Sequence, residues 1–167
     1  IRISVTDRCN LRCIYCMPQT RKTYLRQEEL LTYDEIVKLA GIYRSLGIKN
    51  VKLTGGEPLV REHIEELIFR LKKECGMGKV TLTTNGILLE QQLEDLLAAG
   101  LDAVNISLDT LNPEHYKSLT GGCHVDRNPS DGNLEIVLRG MRKAQKQAGI
   151  SVKVNCVLMH QPREELL

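Results

Sequence analysis

The sequence predicts an α/β fold built as a partial (β/α) TIM-type barrel, with parallel strands and outer helices, on three observations. Segments of period two alternate with segments of helical period, strand then helix, five times over, and no linker divides the series. The strand segments alternate apolar and polar residues, whereas strands covered on both faces of a parallel sheet read as nearly continuous apolar runs. A complete (β/α)8 barrel takes about 250 residues, so 167 residues hold about five βα units.

Each element has its own signal. Ile1–Thr6 reads as a strand and Tyr33–Leu46 as a helix, with Ile36, Leu39, Ala40, Tyr43 and Leu46 on one face and Gly47 as its stop. A strand at Asn50–Thr54 precedes a helix from about Val60 to Lys73 whose apolar face is Ile64, Leu67, Ile68 and Leu71. Lys79–Thr83 is the third strand, followed by an Asn85-Gly86 turn and a helix near Glu90–Ala99 that Gly100 ends. Ala103–Leu108 is the fourth strand; a short helix follows, capped by Asn112 with Pro113 at its first position. Gly121–Gly132 is a loop, Asn133–Ala148 a helix and Val152–Leu158 the last strand.

The alternation sorts the strand residues by face. Ile3, Val5, Val51, Leu53, Val80, Leu82, Val104, Ile106, Val152 and Val154 point to the helices. The other parity holds Arg2, Ser4, Thr6, Lys52, Thr54, Thr81, Thr83, Asn105, Ser107, Asp109, Lys153 and Asn155. That parity describes the polar lumen of a curved sheet, with a flat sheet exposing one face to solvent as the alternative. Three cations, Arg2, Lys52 and Lys153, fall early in their strands on the lumenal parity. Buried like charges repel unless an anion neutralises them, which a phosphorylated substrate would do; pairing with carboxylates is the other solution.

Composition limits the function classes. With 23 Lys+Arg against 21 Asp+Glu the net charge is +2, without the basic excess of a general nucleic-acid binder. At 42% hydrophobic and 26% charged the chain is of folded, soluble type. No apolar run approaches the roughly 20 residues that span a bilayer, so the expectation is a cytoplasmic protein with neither membrane nor nucleic-acid partner. Ile1 opens inside a strand pattern, which reads as a chain whose natural start lies upstream.

Of the six cysteines, three form Cys9-x3-Cys13-x2-Cys16, directly after the first strand. Chemistry in parallel α/β folds sits on such loops, at the carboxyl ends of strands. A tetrahedral zinc site needs four ligands, and neither a His nor a fourth Cys lies nearby in sequence. Three thiolates suit a 4Fe–4S cluster with one iron left open, while zinc with a distant ligand stays an alternative. Cys75 and Cys156 read as buried small apolar residues; Cys123, beside His124, is the one stray cysteine worth watching as a ligand.

This spacing, with Tyr15 just before the last cysteine, resembles the radical S-adenosylmethionine superfamily, as does Gly55-Gly56-Glu57-Pro58 after the second strand. The resemblance extends through Ser4–Cys13, Tyr15-Cys16-Met17-Pro18, Leu53–Leu59, Leu82–Gly86 and Asn105–Asp109 to the family that rearranges GTP in molybdenum-cofactor biosynthesis. It implies a cluster on Cys9, Cys13 and Cys16. It further implies S-adenosylmethionine at Tyr15, Gly56 and Ser107, with Glu57 a weaker candidate that would accept from the methionine ammonium. Arg2, Lys52, Thr83 and Lys153 would face GTP. The implied reaction converts GTP to (8S)-3′,8-cyclo-7,8-dihydroguanosine 5′-triphosphate by way of a 5′-deoxyadenosyl radical.

The resemblance also implies an external electron donor, a homodimer as a permitted assembly, and a second 4Fe–4S cluster in a C-terminal segment, before which this chain stops at Leu167. Residues 1–167 then read as the N-terminal part of the radical core barrel. Two departures stand out: Lys52 occupies a triphosphate position often held by arginine, and the Gly121–Gly132 loop is long. A peptide-modifying enzyme of the same superfamily and a non-enzymatic zinc-binding module are the competing readings.

Overall fold

The computed structural model describes residues 1–16, 24–121 and 132–158. Five strands, β1 (Arg2–Ser4), β2 (Asn50–Thr54), β3 (Lys79–Thr84), β4 (Ala103–Ser107) and β5 (Ser151–Asn155), form one sheet in chain order, every neighbouring pair parallel. The register runs Arg2↔Lys52↔Thr81↔Ala103 near the start of the strands and Thr83↔Asn105↔Lys153 further along. Parallel neighbours need long crossovers, and helices supply them. Among the described residues β1 and β5 are the two edges, so the sheet is an open arc of a barrel.

The helices are α1 (Tyr33–Ser45), α2 (Ile64–Lys73), α3 (Leu89–Ala98), α4 (Pro113–Leu119) and α5 (Asn133–Gln145). α1 opens on a reciprocal cap: the Thr32 hydroxyl accepts from Glu35 N, and the Glu35 carboxylate accepts from Thr32 N. α4 starts as the sequence predicts, with the Asn112 side chain accepting from the backbone N–H groups of Glu114 and His115. α2 begins four residues later than the periodicity predicts. Pro58–Val60 forms a separate 3₁₀ turn, and His63, at φ 56°, breaks the backbone before Ile64.

The predicted apolar parity is the core. Leu53, Val80, Leu82, Val104 and Ile106 are fully buried, packed with Leu67, Ile68 and Leu71 of α2, Leu93 and Leu96 of α3, and Val137 and Ala144 of α5. The pattern fails at the flanks. Val154 on β5 is 40% exposed because β5 has a neighbour on one side only. On α1 only Ile36 and Ala40 are buried, while Leu39, Tyr43 and Leu46 remain exposed: α1 packs against α2 along its inner stripe alone. No helix among the described residues is long and apolar enough to cross a membrane.

Candidate functional site

The loop after β1 lies against the loop after β2 along a backbone ladder. Val5 N donates to Thr54 O, Gly56 N to Thr6 O at 2.7 Å, and Glu57 N to Arg8 O at 2.7 Å. The two glycines are what the ladder demands. A Cβ on Gly55 would stand 2.5 Å from Thr6 O, and one on Gly56 would stand 2.2 Å from Arg8 O. Their lack of a side chain therefore serves first the protein's own backbone.

The cysteine arm is then fastened on its far side. Arg12 N donates to Thr120 O and Ile14 N to Leu119 O, so the residues flanking Cys13 are stitched to the end of α4. Gly121, at φ 76°, makes that approach possible, since a Cβ there would lie 2.6 Å from Arg12 O. Cys16 N closes a turn onto Cys13 O, and the Tyr15 hydroxyl donates to Asp109 Oδ2. Asp109 is nearly buried, and its other carboxylate oxygen accepts from Val157 N. One carboxylate thus ties the aromatic of the cysteine arm to the segment after β5. Sequence reading missed this role, although the lumenal parity already placed Asp109 on the right face.

Glu57 is buried, with both carboxylate oxygens already accepting from the protein's own donors. It is 1% exposed; Oε1 accepts from Leu59 N and from the Thr84 hydroxyl, and Oε2 accepts from Asn85 N. Burial pushes its carboxyl up to about 7, against the lowering pull of those hydrogen bonds. Asn85, so held, donates through Nδ2 to Asn10 Oδ1 at 2.7 Å and lies 3.8 Å from Cys9 Sγ.

Cys9 and Cys13 are half-buried and Cys16 is exposed. Burial raises the Cys9 thiol, Glu57 and Cys16 adding to it, and pushes Cys13 up to about 11, with Cys9 and Cys16 as further contributors. These thiols stay protonated at neutral pH unless a cationic centre draws the protons off, as metals do. Among the described residues no group of three or more His, Cys, Asp or Glu closes on a single ion. Zinc needs its sulfurs about 2.3 Å from one centre; an iron–sulfur cluster gives each of three thiolates its own iron. The donor set therefore fits a cluster better than a lone ion. Cys75 donates to Val37 O and Cys156, just after β5, to Asp109 O; both are only partly buried, short of the burial the sequence predicts. Cys123, His124, Met17, Pro18 and nearly all of the Gly121–Gly132 loop lie outside the described residues.

On the concave face, a cleft of about 230 Å³ near the start of the strands is lined by Lys52, Lys79, Thr81, Asn105 and Lys153 among others. Arg2 is the register partner of Lys52, and Thr83 lies two residues beyond Thr81 toward the cysteine arm. The expectation of buried cations is corrected: Lys52 is half-buried, and Arg2 and Lys153 are exposed because the arc is open. None of the three forms an ion pair among the described residues. Lys79 was missed, although it shares the parity of Thr81. At the opposite end of the sheet, Gly56 and Glu57 follow β2, Ser107 ends β4 and the Tyr15 hydroxyl donates to Asp109.

With this geometry in place, the radical SAM superfamily model matches residues 3–167. The chain belongs to the radical SAM superfamily. Among curated relatives of this radical SAM chain, the GTP 3′,8-cyclase of Peptoclostridium acidaminophilum is 46% identical over 159 residues, covering 95% of this chain and 46% of the relative. The GTP 3′,8-cyclase of Limosilactobacillus fermentum is 42% identical, covering 100% and 48%, and the molybdenum cofactor biosynthesis protein 1 of Dictyostelium discoideum is 43% identical, covering 95% and 24%. The chain thus spans less than half the length of these relatives. Solved structures share the radical SAM fold. Methylornithine synthase superposes with a TM-score of 0.68 at 20% identity, over 93% of this chain and 43% of that one. A radical S-adenosylmethionine methyltransferase from Kitasatospora setae, with cobalamin and a 4Fe–4S cluster bound, gives 0.62 at 21% identity, over 92% and 30%.

Proposed function

We propose that residues 1–167 form the N-terminal part of the radical core of a GTP 3′,8-cyclase, which converts GTP to (8S)-3′,8-cyclo-7,8-dihydroguanosine 5′-triphosphate at the start of molybdenum-cofactor biosynthesis. The observation that carries the substrate is the pairing of Lys52 and Lys153 on one cleft, on the face whose other end bears the cysteine arm. A peptide-modifying relative needs the cysteines but not those cations. Lys52 lies two residues before the end of β2 and Gly56 two residues after it, so a triphosphate held at the lysine runs along β2 toward the Gly55-Gly56 bend.

In this reading Cys9, Cys13 and Cys16 hold a 4Fe–4S cluster, and Tyr15, Gly56 and Ser107 receive S-adenosylmethionine. When bound, that pair supplies reductive cleavage of the cofactor and hydrogen abstraction from the ribose 3′ position. The chain's own residues set the geometry. Asp109 fixes Tyr15, the ladder from Gly56 to Thr6 fixes the loop that meets the cofactor, and the buried Glu57 holds Asn85 beside Cys9. Arg2, Lys52 and Lys153 neutralise the triphosphate, and Thr83 stands between the two ends. An external donor supplies the electron, a second cluster on a C-terminal segment completes the base site, and the setting is the cytoplasm, where a homodimer is a permitted assembly.

Anaerobic reconstitution followed by electron paramagnetic resonance tests the reading. The reduced-cluster signal is expected to change on adding S-adenosylmethionine. An unchanged signal, or tightly bound zinc without iron–sulfur absorption, refutes it in favour of the zinc module.

A further inference from the structure

Tyr116, on α4, is 5% exposed, and its hydroxyl has no hydrogen-bond partner among the described residues. A buried hydroxyl without a partner is destabilising by itself. The hydrogen bonds around it go to other groups. Asp109 accepts from Tyr15 and Val157, and the Thr120 hydroxyl donates to the Tyr116 carbonyl one turn along α4. Thr120 is also the residue whose carbonyl anchors the cysteine arm at Arg12, so the face of α4 that carries Tyr116 is fastened to that arm. Cys9 and Cys13 pack against the same buried cluster as the Tyr116 ring.

Two further facts bear on what the hydroxyl can meet. Burial first, and then the charges of Cys13, Asp109, Cys9 and Glu57, raise the phenol, so those groups lie within electrostatic reach of it. Asn10, beside Cys9, presents a second orphan: its oxygen accepts from Asn85, while its buried Nδ2 has no partner among the described residues. Among the described residues, two buried donors without partners therefore belong to the segments that carry and brace the cysteine arm. An acceptor bound among the cysteines resolves the deficit, and hydrogen bonds to cluster sulfurs are among the levers that set the potential.

We propose that the Tyr116 hydroxyl donates a hydrogen bond to a sulfur of the cluster held by Cys9, Cys13 and Cys16, stabilising its reduced form; this rests on the cluster reading above. Tyr116→Phe removes the donor and keeps the ring. In the reconstituted chain, the ratio of reduced to oxidised cluster at a fixed solution potential falls about tenfold, a midpoint ~59 mV more negative for a one-electron couple. The midpoint is read by redox titration with paramagnetic resonance detection, at iron and sulfide contents equal to those of the unsubstituted chain. In the metal-free chain, Tyr116→Phe melts no lower than the unsubstituted chain, because the hydroxyl it removes satisfies nothing there. An unchanged midpoint at full iron loading overturns the proposal, and so does a lowered melting point of the metal-free variant, which makes the hydroxyl structural. Failure of the unsubstituted chain to take up iron overturns the cluster reading itself.

Discussion

Replacing Glu57 by Gln isolates the consequence of burying a carboxyl under the cysteine arm. The group is 1% exposed and accepts three hydrogen bonds, yet burial holds its carboxyl at about 7 against an ordinary 4.5. At 1.36 kcal/mol per pH unit, that difference makes ionising the folded protein ~3 kcal/mol costlier than ionising the unfolded chain. Because the folded value is raised, the stabilisation from this group is fully present below pH 4.5 and is lost as pH rises through 7. Gln stays neutral throughout, but its amide turns a donor toward Leu59 N, Thr84 or Asn85 N and leaves one of them unsatisfied, costing about 1–3 kcal/mol. The Gln variant is therefore the less stable at pH 5, and its deficit shrinks by ~3 kcal/mol on moving to pH 8. Urea unfolding of both chains by far-ultraviolet circular dichroism at pH 5, 6, 7 and 8 measures this, since every other titrating group cancels in the difference. A deficit that stays constant or widens with pH refutes the reasoning.

Two further perturbations probe the site. Gly56→Ala drives a Cβ into Arg8 O and should lower stability by at least ~3 kcal/mol and abolish iron loading, both checked on the purified variant; normal loading would mean the two loops separate freely. Lys153→Ala, in the complete enzyme, should weaken GTP binding by about tenfold in calorimetry, as loss of one charged contact to phosphate requires. Cofactor cleavage without GTP should stay near its original rate. Equal loss of both would make the lysine structural.

The fold was legible where one residue's environment depends on its own strand. Val51, Leu53, Val80, Leu82, Val104 and Ile106 alternate with polar neighbours and are the core, and Asn112 with Pro113 starts α4 where those residues predict. Legibility failed where the environment comes from elsewhere in the chain. The stripe of α1 from Leu39 to Leu46 has helical spacing, but spacing does not say how wide a face the neighbour covers. The late start of α2 depends on His63 adopting a left-handed backbone, which local sequence does not require.

The site divides the same way. The cysteines and the cations were visible as a spacing and a parity, and Lys79 would have been found by the same parity. Glu57 was legible as a motif residue but not in its orientation, which three donors from two loops decide. Asp109 acts through Tyr15, about 100 residues away, and nothing in its own neighbourhood in sequence announces it.

The fastening of Arg12 and Ile14 to Leu119 and Thr120 has a consequence for the order of events in biosynthesis. In the order of the chain the three thiols come first, and the wall they rest on, at Leu119 and Thr120, follows about a hundred residues later. In a zinc finger the metal arrives first and organises the chain around it. Here the polypeptide must first build four strands and their helices before the thiols have a floor. The floor of the cysteine arm is therefore laid by chain made well after the arm itself, and Cys16 is the one of the three thiols left exposed when it is in place.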